Sequence, residues 1–113
     1  MSSAFKLGHA VCWGTAGAIE EILSRAADLS SATFGAEDPL SIFLAEERRL
    51  YWGGKVVSFE PSKVSLGRLA AVLEGAREQA FATGQFTEIG IAWLSGPLTE
   101  FCEQVKVTGD TSS

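Results

Sequence analysis

"DPLSIFLAEERRLYWGGKVVSF", residues 38–59, admits two readings, and the fold turns on the choice. In the first, residues 40–45 and 50–59 are strands, and Glu46-Glu47-Arg48-Arg49 is the charged tip between them. In the second, Asp38 caps a short helix with Pro39 at its first position. Gly53-Gly54 is then the two-residue turn of a hairpin between residues 49–52 and 55–59. Ile42, Leu44, Leu50, Trp52, Val56, Val57 and Phe59 are strand-type residues and favour the first reading. Gly53-Gly54 then becomes a bulge or a point of close packing. Residues 40–45 fit both patterns.

Working outward, residues 4–13 read as one strand, in which Phe5, Leu7, Val11 and Trp13 alternate and His9 shares the Phe5/Leu7 face. Thr15 is an N-cap for a helix carrying Ile19, Ile22, Leu23, Ala26 and Leu29 on one face. The helix should end near Ser30 and Ser31, leaving residues 30–38 as loop. Ser65 caps a second helix, with Val64 and Leu69 placed as a hydrophobic staple and Gly84 as its C′ residue. Ile89, Ile91 and Trp93 alternate along a strand at residues 88–94, which Gly96-Pro97 ends. Residues 101–107 fit an edge strand or a turn of helix, and residues 108–113 read as a disordered tail. The order is β-α-β-β-α-β. That order predicts one α+β domain over residues 1–113, an antiparallel sheet with two helices on one face, ferredoxin-like or a close variant.

The 113 residues carry a net charge of −5, with 46% hydrophobic and 20% charged side chains, which are the proportions of a globular chain. The negative balance disfavours direct nucleic-acid binding, which depends on Lys and Arg neutralising phosphates. It suits steering toward a basic protein partner. No apolar run approaches the ~18 residues of a membrane span. The first seven residues have one Lys and no apolar core, so they do not read as a secretory signal. Two cysteines make no disulfide framework, and a reduced cytoplasmic setting is expected.

Several chemistries are excluded by spacing. His9 and Cys12 are three apart, so one strand puts them on opposite faces, and a nucleophile–base pair needs hydrogen-bond reach. One His and two distant Cys offer no metal-ligand spacing, and no cofactor is implied. Glu37/Asp38 and Glu46/Glu47 are adjacent carboxylates whose side chains diverge. Gly14-Thr15-Ala16-Gly17 opens a helix whose free N–H groups suit an anion or small ligand, so Gly14, Thr15 and Gly17 are candidate ligand-binding residues. No Gly-Lys-Ser/Thr follows, so this is not a P-loop.

Tyr51 and Trp52 lie between the acidic pair Glu46-Glu47 and two glycines, and a strand would leave one of them outside the core. In size, acidity and lack of catalytic residues, with the segment "EERRLYWGGKVVSF", the chain resembles the small immunity proteins encoded beside bacterial polymorphic and contact-dependent inhibition toxins. The resemblance implies tight binding of a cognate toxin, often a nuclease, by occlusion of its active site. Glu37, Asp38, Glu46 and Glu47 would then meet basic residues of the toxin, with Tyr51 or Trp52 as the anchor. The inhibitor would be a monomer or weak homodimer with no membrane partner. A small-ligand-binding or regulatory domain with its pocket near Gly14–Gly17 is the alternative.

Overall fold

Asp38 decides the ambiguous stretch in favour of a helix. In the computed structural model, which describes residues 2–111, its carboxylate accepts from the Leu40 N–H at 3.1 Å, and Pro39 follows at the first helical position. The helix α2 (Pro39–Arg49) buries Leu40, Ser41 and Leu44, the spacing of one helical face, and places Arg48 and Arg49 at the negative end of its dipole. This corrects the strand expected at residues 40–45. The charged run is the last turn of a helix rather than a hairpin tip.

The remaining elements follow from similar local signals. β1 (Ser2–Leu7) and β2 (Ala10–Thr15) form an antiparallel hairpin across Gly8-His9. Gly8 stands at φ +60°, the glycine-first pattern of a tight hairpin turn. The single strand expected over residues 4–13 is therefore two. Thr15 caps α1 (Ala16–Phe34) by accepting from the Ala18 N–H at 3.1 Å. That helix continues into the expected loop as far as Phe34 and stops at Gly35, where φ is +95°, so the loop is only residues 35–38. β3 (Val56–Phe59) is short, held between the turn at Gly53-Gly54 and Pro61. Ser65 caps α3 (Leu66–Thr83), and Gly84 ends it in the left-handed region, both as the sequence indicates.

The expected strand at residues 88–94 is a helix, α4 (Glu88–Ser95), capped by Thr87. Trp93 and Leu94 face inward while Ile89 and Ile91 stay exposed, so the two-residue alternation was coincidental. α5 (Pro97–Thr111) occupies the segment read as an edge strand or helical turn and extends into the expected tail. Residues 112 and 113 of that tail, like Met1, lie outside the described residues.

The sheet order is β2-β1-β3, with β1–β2 antiparallel and β1–β3 parallel. The predicted ferredoxin-like arrangement of an antiparallel sheet and two helices is thus replaced by a small mixed sheet in a largely helical α+β chain. The parallel pairing arises because β2, α1 and α2 all intervene between β1 and β3, enough chain for a crossover. Phe5, Leu7, Cys12, Val57 and Phe59 line the inner face of the sheet, and α1 and α5 pack on that side. Phe5, Phe59 and Phe101 form an aromatic cluster with ring centres 5.8–6.3 Å apart. No helix among the described residues is long and apolar enough to cross a membrane.

Candidate functional site

The Gly8-His9 turn sets the site, because it changes which side chains face out. In one unbroken strand Phe5, Leu7, Val11 and Trp13 would share a face. In the hairpin Phe5 pairs with Cys12 and Ala4 with Trp13. Directly opposed residues share a face, so Cys12 is buried while Val11 and Trp13 point away from the core. Val56 joins them from β3, opposite Ala4. Ala4 is fully buried between Trp13 and Val56, so an apolar strip crosses all three strands on the face that α1 and α5 leave open. Trp13 is 57% exposed.

Trp13 also borders a groove of about 580 Å³ between the end of β2, the start of α1 and the start of α4. Phe86, Ile89 and Trp93 line its far side, and Gly14, Thr15, Gly17 and Glu21 its near side. Ile89 is 81% exposed, an unusual position for an isoleucine in a folded chain. Trp93 fixes the geometry: its indole Nε1 donates to the Trp13 carbonyl at 2.7 Å. The ring lies so close to Gly14 that a Cβ there would sit 2.9 Å from it. Glycine is needed at position 14 for this contact rather than for any phosphate motif. Gly17, in the first turn of α1, has open space around it.

No protein family, curated protein or solved structure matches this chain. The site is therefore read from its own geometry.

Gly14, Thr15 and Gly17, the candidate ligand-binding residues, all line the groove. The second set of candidate residues is dispersed among structural roles. Asp38 caps α2 and pairs with Arg68. Glu46 pairs with Arg49 at 2.7 Å, and Glu47 with Lys55, which ties the end of α2 to the start of β3. Tyr51 is half-buried: its phenol donates to the Ala16 carbonyl at 2.6 Å and lies 2.8 Å from Ser3 Oγ, which accepts from the Gly54 N–H. Glu37 and Trp52 remain exposed, Trp52 by 61%. The Trp52–Lys55 turn lies at the groove's end of the sheet, since Gly54 bonds Ser3 and Ser2 lines the groove.

Cys12 and Cys102 are both buried and free. Burial pushes Cys12 up to about 12, with Cys102 nearby adding to the effect. Burial likewise pushes Cys102 up to about 11, with Glu74 beside it. His9, expected on the core face, is exposed in the hairpin turn, so no Cys–His pair forms. Among the described residues no group of three or more His, Cys, Asp or Glu is arranged to hold a metal. Sequence reasoning missed Trp13, Phe86, Ile89 and Trp93 as site residues. Gly8 was the available signal, since a turn there inverts the parity of every later residue in the hairpin.

Proposed function

We propose that this chain acts by binding and blocking another protein, as an inhibitor of the immunity type directed at a toxin. The observation that carries the reading is the continuous apolar surface around Trp13, running from Val56 across the sheet to the groove and Ile89. A large exposed aromatic beside a preformed groove is the usual anchor of a protein interface. The net charge of −5 adds attraction toward a basic partner. Trp13 takes the anchoring role, with Trp52 and Glu37 as further contacts, because Asp38, Glu46, Glu47 and Tyr51 already serve internal pairs.

Co-expression with the product of the adjacent reading frame, followed by a pull-down and titration, tests this. Trp13→Ala should weaken the complex by about 2–4 kcal/mol while leaving the unfolding midpoint nearly unchanged. Equal affinity for the variant would remove Trp13 from the interface. A neighbour that neither binds nor is toxic alone would remove the inhibitor reading.

The second reading is a regulatory domain that binds a small molecule in the same groove. It is favoured by the convergence of Gly14, Thr15 and Gly17 on about 580 Å³, within the range of small-molecule sites. A thermal shift with nucleotides or amino acids that Trp13→Ala abolishes would select this reading over the first.

A further inference from the structure

Two glycines shape the groove between β2, α1 and α4. A Cβ at Gly14 would sit 2.9 Å from Trp93, and a Cβ at Gly90 would sit 2.9 Å from Phe86. Each glycine lets one ring lie against the backbone, and both rings line the groove. Trp13 forms an exposed rim, and Glu21 supplies a carboxylate. Glu21 binds Arg25 through Oε1, at 2.8 Å, which leaves Oε2 for another donor. Arg25 reaches on to Gln79 of α3 and does not line the groove.

The local charge has one sign. Among the described residues no Lys or Arg lines the groove. Glu20 stands beside Glu21 in the second turn of α1, and Glu88 lies between the lining residues Thr87 and Ile89; both are exposed. The positive ends of α1 and α4 also open here, each worth about half a charge. Three carboxylates against Arg25 and two half-charges leave the groove negative. The open face of the sheet differs, since an exposed Lys6 stands there between Val11 and Ser58.

We propose that the groove receives an arginine side chain of the partner protein. The inference rests on the protein-binding reading above and names the group that enters. A guanidinium matches both features of the groove. Its flat cationic face stacks on an aromatic ring, here Trp13, and its fork of N–H donors meets a carboxylate, here Glu21 through Oε2. The apolar stem of the arginine would cover Ile89, the most exposed apolar side chain of the site.

Titration of the full chain with N-acetyl-arginine amide, and separately with its uncharged citrulline counterpart, tests the chemistry. The arginine probe should shift the Trp13 and Trp93 indole N–H resonances saturably, the citrulline probe far less, and Glu21→Gln should abolish the difference. Equal shifts from both probes, or none from either, overturn the inference. With the product of the adjacent reading frame, Glu21→Gln should weaken the complex roughly tenfold and flatten its salt dependence. Glu88→Gln leaves the Arg25 pair intact and should act in the same direction by a smaller factor. A complex equally tight in both variants overturns the inference and leaves the inhibitor reading standing. A neighbour that does not bind removes both.

Discussion

Gly14 and Gly17 look equivalent in the sequence and are not. A methyl group at position 14 meets the Trp93 indole at 2.9 Å, and that ring is tethered by its bond to Trp13. Gly14→Ala should therefore cost about 1–3 kcal/mol in urea unfolding. At Gly17 nothing lies within 4 Å of the added carbon, in the first turn of a helix. Gly17→Ala should be neutral or stabilise by about 0.5 kcal/mol. If both variants unfolded alike, the Trp93 contact would not be what fixes Gly14. Thr15, Ser65 and Gly84 were legible from sequence because a cap is a local event, in which one side chain or one φ angle satisfies nearby backbone groups. The indole over Gly14 was not legible, since it brings together residues nearly eighty positions apart.

Helix α2 shows how a capping signal outweighs strand propensity. Ile42, Phe43 and Leu44 are good strand residues, yet Asp38-Pro39 begins a helix whose buried positions are Leu40, Ser41 and Leu44. Ser41 is accommodated by a 2.7 Å hydrogen bond to Ser30 of α1. Asp38→Ala removes both the cap and the pair with Arg68, and should lower stability by about 1–2 kcal/mol in chemical denaturation. Asp38→Asn keeps a capping oxygen and should lose clearly less; an equal loss would locate the effect in the Arg68 pair. Helix α4 was missed for a related reason. Ile89, Ile91 and Trp93 mimic a strand, but a short segment between two helices has no neighbouring strand to pair with, and Thr87 supplies a cap instead. In α1 and α3 the apolar repeat ran long enough to leave only one reading.

At the scale of the whole molecule, the two buried thiols link stability to alkaline pH. Both are held above the ordinary 9.0, Cys102 to about 11 and Cys12 to about 12. Below pH 9 the thiols are protonated in folded and unfolded chains alike. Above it the unfolded chain releases protons that the folded chain retains, so stability falls as pH rises toward 11. The slope approaches about 1.4 kcal/mol per pH unit for each thiol. Unfolding titrations from pH 8 to 11 should show this decline. It should be shallower in Cys12→Ala/Cys102→Ala, and an identical profile would assign the decline to other groups. What the sequence by itself determined were features with a local cause: the Thr15 and Ser65 caps, the Gly84 stop, the apolar faces of α1 and α3, and the net charge. Tertiary structure alone decided the mixed sheet, the surfaces on which residues 39–49 and 88–95 pack, and the seating of the Trp93 indole over Gly14. Each of these depends on which distant surface a short segment packs against. A single two-residue turn at Gly8-His9 was enough to carry the tryptophan from the core to the surface.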